Sequence, residues 1–302
     1  MASESTMQRP SFALGLFRSL RPHQWIKNVF VFAALVFAER MWERQAELLA
    51  LAAFAVFCAL ASAVYLVNDI MDRDTDRLHP VKRNRPIASG VVPLAVGWTM
   101  ALLCTLVGVI GAWRLGTGFL VTALTYLGLS FAYCFWLKKI VILDVMVLAS
   151  GYALRAIAGA QAIGVSISGW LLLCTSLLAL FLGFCKRRQE LTSLADGAVA
   201  HRAVLAGYSE KFLDQMIAVV TASTVISYML YALSDEVANK FHTRGLGFTV
   251  PFVLYGIFRY FYLVHMRGEG GRPSRELVND KPLLINILLY GTSVLLILYV
   301  KP

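Results

Sequence analysis

Long uncharged stretches alternate with short charged ones along this chain. Six stretches carry no charged residue and are long enough to cross a bilayer as helices: 48–67, 92–113, 115–137, 163–185, 215–234 and 282–300. Two more, 140–162 and 245–266, are similar but contain Asp144 and Arg155 in the first and Arg259 in the second. Because lipid offers the backbone no hydrogen-bond partner, such segments must be helical. The pattern therefore predicts an all-α, polytopic membrane helical bundle.

The first apolar run, 28–38 (NVFVFAALVFA), is shorter, with eleven residues. Trp25 and Trp42 stand on either side of it, and tryptophan anchors helices at membrane–water interfaces. With this run as a span, the sequence predicts about nine transmembrane helices. Before it, 11–20 has apolar residues at helical spacing, which predicts either an interfacial helix or a lead-in to the first span.

Composition supports this class of protein. Of the 302 residues, 58% are hydrophobic and 15% are charged, whereas soluble domains average about 25% charged residues. We therefore expect a single integral-membrane domain over 1–302, with 1–27 as a cytoplasmic N-terminal segment. With the N-terminus inside, 20 of the 28 Lys and Arg residues fall on the cytoplasmic side and 6 on the other. This asymmetry predicts that the N-terminus lies inside and the C-terminus outside, and it explains the net charge of +10 without nucleic acid. We expect a multi-pass protein of the cell inner (plasma) membrane with its active site on the cytoplasmic side.

Charge is concentrated in the stretch 68–90, NDIMDRDTDRLHPVKRNRPIASG. Asp69, Asp72 and Asp76 are spaced to share one face of a helix, and Asn68 can join that face. Clustered carboxylates repel one another unless a cation neutralises them, and hard oxygen ligands suit Mg²⁺. The spacing therefore predicts a Mg²⁺ site at these four residues.

The same stretch continues with a helix stop and a basic segment. His79-Pro80 ends the helix, and Lys82, Arg83 and Arg85 follow as anion-binding partners. The alternative is a solvated loop held by local ion pairs. The carboxylate phasing, the abrupt stop and the basic segment together favour a binding site for an anionic ligand.

A second charged segment follows the sixth predicted span, in 184–209. Lys186 and Arg187 close that span, which we expect to end at Cys185, and Glu190 lies four residues after Lys186. Basic residues at a helix C-terminus also complement the helix dipole, which is the structural alternative. The predicted loop is longer than a bundle needs as a connector, which favours a functional role. For His201 and Arg202 in this loop, the binding and structural interpretations stay open.

Two charged residues lie inside the fifth predicted span. Asp144 and Arg155 are roughly 16 Å apart by helix rise, too far to pair with each other. Each must therefore find a partner on another helix or face an aqueous cavity. Asp144 is a candidate for contact with substrate or with Lys138 and Lys139, whereas Arg155 is either a substrate ligand or a structural clamp. Arg259, among tyrosines, is expected to reach the interface or to stack on a ring.

The motif NDxxDxxxDxxHPxKxxRPIASG, preceded by RPxQWxKN, resembles the UbiA superfamily of intramembrane prenyltransferases over nearly the whole chain. Typical members carry a second aspartate-rich motif on a later cytoplasmic loop. Here KRRQELTSLADGAVAHRAVLAGYS stands in that place, with basic residues where carboxylates are expected. The combination resembles the branch of decaprenyl-phosphate phosphoribosyltransferases. That branch uses 5-phosphoribosyl 1-diphosphate (PRPP) as donor and polyprenyl (decaprenyl) phosphate as acceptor.

This resemblance implies a Mg²⁺-dependent transferase that makes polyprenylphosphoryl-5-phosphoribose for lipid-linked arabinose donors in cell-wall arabinan synthesis. It implies catalytic roles for Asp69, Asp72, Asp76 and Lys82. The substrate-binding candidates are Lys27, Arg83, Arg85, Tyr133, Asp144, Arg155, Lys186, Arg187, Glu190, His201 and Arg202. The expected partners are PRPP, polyprenyl phosphate, the membrane and further copies of the chain in a homo-oligomer.

Two other functions are compatible with parts of the pattern. One is a UbiA-type prenyltransferase that moves a polyprenyl group from its diphosphate to an aromatic acceptor. The other is a transporter or lipid-binding bundle with Asp144 and Arg155 in its pathway. Transporters usually show inverted repeats and paired broken helices, and the sequence shows neither signal.

Overall fold

A computed structural model describes residues 11–79, 81–194, 203–271 and 273–300 and shows a helical bundle. The α-helices are α1 (Phe12–Ser19), α2 (Ala33–Phe37), α3 (Arg44–Met71), α4 (Arg73–Leu78), α5 (Leu94–Arg114), α6 (Thr117–Phe135), α7 (Leu143–Ala162), α8 (Gly169–Leu194), α9 (Glu210–Leu233), α10 (Asp235–Phe241), α11 (Val250–Met266), α12 (Pro273–Asn279) and α13 (Lys281–Tyr299). A 3₁₀ helix covers Pro22–Phe32, and shorter 3₁₀ turns cover Lys82–Asn84, Leu137–Lys139, Ala203–Gly207 and Gly245–Thr249.

Eight elements of the described residues are long and apolar enough to cross a membrane. They are α3, α5, α6, α7, α8, α9, the segment Gly245–Met266 and α13. These eight match the predicted spans from the second to the ninth, so the all-α membrane bundle is confirmed.

The first predicted span has a different structure from the other eight. The predicted residues, 28–38, fall in the second half of the 3₁₀ helix Pro22–Phe32 and in the five-residue α2, so the observed segment begins six residues earlier. Contacts with α3 occur in antiparallel order along this segment: Arg21 with Asp69, Trp25 with Ser62, Asn28 with Cys58, and Phe32 with Phe54. The segment therefore runs beside α3 in the opposite direction.

The 3₁₀ geometry explains how so short a run traverses the bundle. A 3₁₀ helix rises about 2.0 Å per residue, so Pro22–Phe32 and α2 together extend about 30 Å, the thickness of a bilayer's hydrocarbon core. The same residues in an α-helix would extend only about 24 Å. The prediction of a ninth crossing is therefore consistent with the path of the chain, but the expected α-helix is wrong.

Close packing on α7 accompanies this unusual conformation. A Cβ atom added to Gly159 would stand 1.9 Å from the carbonyl oxygen of Val31. The neighbouring residues Ala156, Ala158 and Ala160 are also small and buried. The backbone of the first span thus contacts the backbone of α7 directly, as small residues permit in membrane helix packing.

The apolar core has two main parts. One joins the first span, α3, α5, α6 and α7 around Phe57 and Phe119. The other joins α8, α9, α11 and α13 around Phe181, Leu213 and Leu263. Helix α7 contributes to both parts, since Ala158 belongs to the first and Val145 to the second. The end of α7 that carries Asp144 therefore lies where the two halves meet.

Arg259 in α11 is paired as well as stacked. Its Nε and Nη2 atoms donate to Asp280 at 3.1 and 2.8 Å, and its guanidinium lies 5.1 Å from the ring centre of Tyr262. The stacking was expected, whereas the partner carboxylate was not. The hydrogen bond from Arg259 holds the pKa of Asp280, which caps α13, below its usual range.

The contact at Gly159 gives a prediction about stability. We expect Gly159→Ala to lower the thermal midpoint of unfolding in detergent, because the added methyl group forces the first span away from α7. Gly128→Ala in α6 is the matched control, since a Cβ there meets nothing within 4 Å. Helix propensity alone favours both substitutions by up to about 1 kcal/mol. Equal midpoints for the two variants would contradict the contact.

Candidate active site

The aspartate motif lies where α3 ends. Helix α3 stops at Met71, Asp72 has φ −89° and ψ 3°, and α4 begins at Arg73. The expectation of one continuous helix is therefore wrong. The predicted stop is confirmed, because α4 ends at Leu78 and the next residue, His79, has an extended ψ of 131°, as the residue before a proline requires.

The helix break brings two carboxylates together. In a continuous helix, residues seven apart are separated by about 10 Å along the axis. Here Asp69 Oδ1 and Asp76 Oδ2 both accept from Nη1 of Arg85, at 3.0 and 2.5 Å. Both carboxylates are almost completely buried, and Asp69 also pairs with Arg21. One cationic nitrogen thus stands between two enclosed carboxylates.

Asp72 forms a separate pair on the same side. Its Oδ1 accepts from Lys138 Nζ at 2.7 Å, and its Oδ2 accepts from the amide of Asn68 at 3.0 Å. Lys138 was expected near Asp144, and the structure corrects this by pairing it with Asp72. Arg21 and Lys138 were missing from the predicted site residues, because both come from segments distant in sequence.

The donor set suits a hard divalent cation that also binds a ligand's phosphates. Mg²⁺ typically takes one or two carboxylates and completes its coordination with water and phosphate oxygens. Among the described residues no three His, Cys, Asp or Glu side chains are grouped closely enough to hold a metal ion. The four predicted ligands form two pairs instead, Asp69 with Asp76 and Asn68 with Asp72. These pairs fit a cation that arrives together with a diphosphate.

The three basic residues that follow the aspartate motif lie at different distances from the aspartates. Arg85 points into the carboxylate pair, whereas Arg83 is exposed and Lys82 is half-buried. The ring of His79 accepts the backbone N–H groups of Val81 and Lys82 at 3.1 and 3.3 Å, which orders the turn. The structure therefore brings Arg85 to the aspartates and leaves Lys82 and Arg83 nearer the surface, at the rim of the site.

The second charged segment is helical over its first part. Helix α8 continues to Leu194, so the predicted end at Cys185 is wrong, and Lys186, Arg187 and Glu190 lie on the helix. Arg187 Nε donates to Asp144 Oδ2 at 2.5 Å and Nη1 donates to Glu190 at 2.6 Å. Side-chain exposure is 1% for Arg187 and 0% for Asp144. The buried guanidinium of Arg187 on α8 is therefore neutralised by Asp144 and Glu190.

Tyr208 completes this second cluster and was not among the predicted site residues. Its hydroxyl donates to Asp144 Oδ1 at 2.6 Å and accepts from the backbone N–H of Ile142 at 2.7 Å. Burial and the bond to Asp144 raise the pKa of Tyr208, so the phenol stays protonated. Its only sequence signal was its place just before the Ser209 cap of α9.

Two of the remaining predicted residues, Tyr133 and Lys186, lie beside this cluster. Tyr133 accepts a hydrogen bond from Arg187 Nη2 at 3.4 Å, and Lys186 Nζ lies 3.7 Å from Glu190. His201 and Arg202 lie outside the described residues. Since Tyr133 and Lys138 both lie at the end of α6, the two charged clusters are neighbours at one end of the bundle.

Arg155 lies deeper in the bundle, on α7. Its Nε donates to the Asn28 side chain at 2.7 Å, Nη1 to the Gly151 carbonyl at 2.7 Å, and Nη2 to the Tyr126 hydroxyl at 3.0 Å. As expected, Arg155 and Asp144 each have a partner on another element. Lys27, half-buried on the first span, lies within range of the charges of Arg155 and Arg21.

Comparison with known families identifies the architecture around these clusters. The model of the UbiA prenyltransferase family matches residues 28–275. The chain belongs to this family. The motif that resembled the UbiA superfamily in the sequence therefore marked a true relationship.

The similar relatives narrow the comparison within the UbiA family. The chain is 33% identical to decaprenyl-phosphate phosphoribosyltransferase of Corynebacterium glutamicum, over 97% of this chain and 89% of that one. It is also 33% identical to the protein of that name from Mycobacterium tuberculosis, over 97% of both chains. The fold matches a UbiA homologue of Archaeoglobus fulgidus bound to GPP and Mg²⁺, with a TM-score of 0.68, 18% identity and coverage of 94% of this chain and 96% of that one.

The buried pair between Arg187 and Asp144 gives a prediction about stability. Removing one partner of a buried ion pair typically costs about 3–5 kcal/mol, because the other charge is left uncompensated. We therefore expect Arg187→Ala to lower the free energy of unfolding in detergent by about this amount. Arg244→Ala is the control, since Arg244 pairs with Asp235 while both are about 80% exposed. A loss for Arg187→Ala no greater than the loss for Arg244→Ala would refute a structural role for the buried pair.

Proposed function

We propose that this protein transfers the 5-phosphoribosyl group of PRPP to polyprenyl (decaprenyl) phosphate. The products are diphosphate and polyprenylphosphoryl-5-phosphoribose, a precursor of lipid-linked arabinose donors. Relatives named for this activity are similar over nearly the whole chain. The observation that carries the proposal is the second cluster, where Lys186 and the enclosed Arg187 stand in place of an aspartate-rich motif. Arg187 is neutralised by Asp144 and Glu190, so Lys186, at the edge of the cluster, is the basic residue that would meet a substrate phosphate. A second aspartate-rich motif would instead repel the extra phosphates of the donor and of the lipid.

The first cluster is suited to the leaving group. In the reaction the bond from the anomeric carbon to the diphosphate breaks, and an oxygen of the lipid phosphate forms the new bond to that carbon. Mg²⁺, held by Asp69 and Asp76 with Asp72 and Asn68 beside them, would neutralise charge on the departing diphosphate. Arg85 and Lys138 already lie on these carboxylates, so they are placed to turn to phosphate oxygens when the donor binds. Arg83 and Lys82 would hold the diphosphate from the rim.

The charges on the substrates also explain which types of residue the site uses. Cleavage at the anomeric carbon passes through an oxocarbenium-like state. The attacking lipid phosphate is ionised at neutral pH, so the reaction needs no strong general base. The site accordingly relies on aspartates and cations.

The second cluster divides into groups that bind and groups that position. Lys186 is about one-third exposed and Glu190 about one-quarter, so both are available to substrate. Arg187 and Asp144 are fully enclosed, and they would act by fixing α7, α8 and Tyr208 beside the aspartates. Tyr133 lies between this cluster and Lys138, where it would contact the donor. We place both clusters on the cytoplasmic face of the plasma membrane, because the excess of Lys and Arg lies on that side.

Product analysis tests the reaction directly. Purified protein supplied with radiolabelled PRPP, Mg²⁺ and polyprenyl phosphate is expected to yield a charged glycolipid that extracts with lipid. The competing assay supplies polyprenyl diphosphate and 4-hydroxybenzoate, the substrates of a prenyltransferase. Product in the second assay and none in the first would overturn the proposal.

A pair of variants tests the aspartate assignment. We expect Asp72→Ala to lower turnover by about 100-fold or more, because it removes a group that stabilises developing charge, and chelation of Mg²⁺ to do the same. Asp74→Ala is the matched control, since Asp74 lies two residues away, is 89% exposed and pairs only with Arg77 among the described contacts. Both variants should elute as folded protein. Equal activities of folded Asp72→Ala and Asp74→Ala would remove Asp72 from the site.

A further inference from the structure

Three basic residues, Arg21, Lys27 and Arg155, lie in or beside the first span and α7. Arg21 is neutralised there by Asp69. Arg155 is buried with 5% exposure, and its contacts among the described residues are neutral oxygens of an amide, a carbonyl and a phenol. Lys27 forms no hydrogen bond or ion pair with any described side chain. Two positive charges therefore lie in the interior without a carboxylate partner in the described part of the chain.

Such an arrangement is unfavourable unless a ligand compensates it. Ionised side chains within a membrane are rare, and they generally pair with one another or serve a substrate. Lys27 directly precedes Asn28, whose side chain accepts a hydrogen bond from Arg155 at 2.7 Å, so the two cations lie close together. The hydrogen bonds to Asn28 and Tyr126 solvate the guanidinium of Arg155 but do not neutralise its charge.

Unused hydrogen-bond donors give the site its specificity. A guanidinium has five N–H groups and an ammonium has three. Arg155 uses three of its five on described residues, and Lys27 uses none. The two side chains thus offer five N–H groups and two charges to one ligand. A phosphate monoester, with a charge of about −1.5 to −2 and three acceptor oxygens, matches both.

The place of the two cations suits the substrates. Asn28, next to Lys27, contacts Cys58, which is roughly 16 Å along α3 from Asp69. Between these levels Tyr65 lies beneath the guanidinium of Arg21, and Tyr152 lies beneath that of Arg155, with separations of 5.1 and 5.6 Å. The path from the aspartates to the two cations is therefore partly aromatic, which suits the sugar of the donor or the isoprenoid chain of the lipid.

We infer that Lys27 and Arg155 form a second anion site, which binds a phosphate monoester inside the membrane-embedded part of the bundle. The inference deepens the proposed function and rests on it for the source of the ligand. Two substrates carry this group, PRPP as its 5-phosphate and the lipid as its head group. Asn28 and Tyr126 hold Arg155 in position, and Lys27 supplies the mobile second charge.

Binding without turnover tests the site. Ribose 5-phosphate and farnesyl phosphate each carry one phosphate monoester, and they represent the donor and the lipid respectively. We expect one of them to raise the thermal midpoint of the wild-type protein in detergent, and Lys27→Met to lose this stabilisation while its own midpoint is unchanged. Lys27→Arg should restore it. Lys240→Met is the control, because Lys240 is exposed on α10 and lies over Phe241.

Steady-state kinetics identify the source independently. Lys27→Met is expected to raise KM about 10- to 100-fold for the substrate whose phosphate occupies the site, as for loss of a charged hydrogen bond. KM for the other substrate should change much less. If wild type and Lys27→Met bind both probes alike, the inference fails, whatever the product assay shows. If the product assay fails but a probe still depends on Lys27, the anion site stands and the proposed reaction does not.

Discussion

The buried carboxylates at the end of the bundle are compensated by basic side chains, and these ion pairs organise the end that carries the candidate site. Arg85 joins two aspartates across a helix break, Lys138 joins Asp72 to the end of α6, and Arg187 joins α8 to Asp144 on α7. The pairs of Lys138 with Asp72 and of Arg187 with Asp144 link elements that are far apart in sequence, whereas Arg85 closes the turn that follows α4. The same contacts that neutralise the carboxylates therefore also hold the helix ends in register.

These ion pairs have different exposure, which separates their roles. The pair of Arg187 and Asp144 is sealed, so its charges stabilise one arrangement of α7, α8 and Tyr208 and exchange poorly with solvent. Lys138 and Asp72 are about one-fifth and one-third exposed, so their pairing can give way to a ligand. A site that must accept a highly charged donor needs both kinds of ion pair. Buried pairs keep the helices in place, and partly exposed pairs can exchange one partner for a phosphate of the ligand.

Much of this arrangement could be predicted from the chain itself. Six uncharged stretches and two apolar stretches with one or two charges marked eight spans, and the phasing of Asp69, Asp72 and Asp76 marked the first cluster. The partners could not be predicted, because Arg21 and Lys138 reach the aspartates through tertiary packing. The break at Asp72 and the extension of α8 past Cys185 also escaped the pattern. At Asp72 the spacing predicted a continuous helix, and after Cys185 the first charged residues predicted a helix end. In both places ion pairs with distant elements, Lys138 with Asp72 and Arg187 with Asp144, accompany the different outcome.

The 3₁₀ conformation of the first span has a consequence for how the family can vary. With three residues per turn and a rise of about 2.0 Å, one inserted or deleted residue would turn everything before it by about 120° and shift it by about 2 Å. Arg21 would leave Asp69, or Lys27 would leave the interior, since the far end of the segment is fixed by the contact of Val31 with Gly159. The length of this span is therefore constrained independently of its side chains. It sets the distance between the contact with α7 and the ion pair with the aspartates.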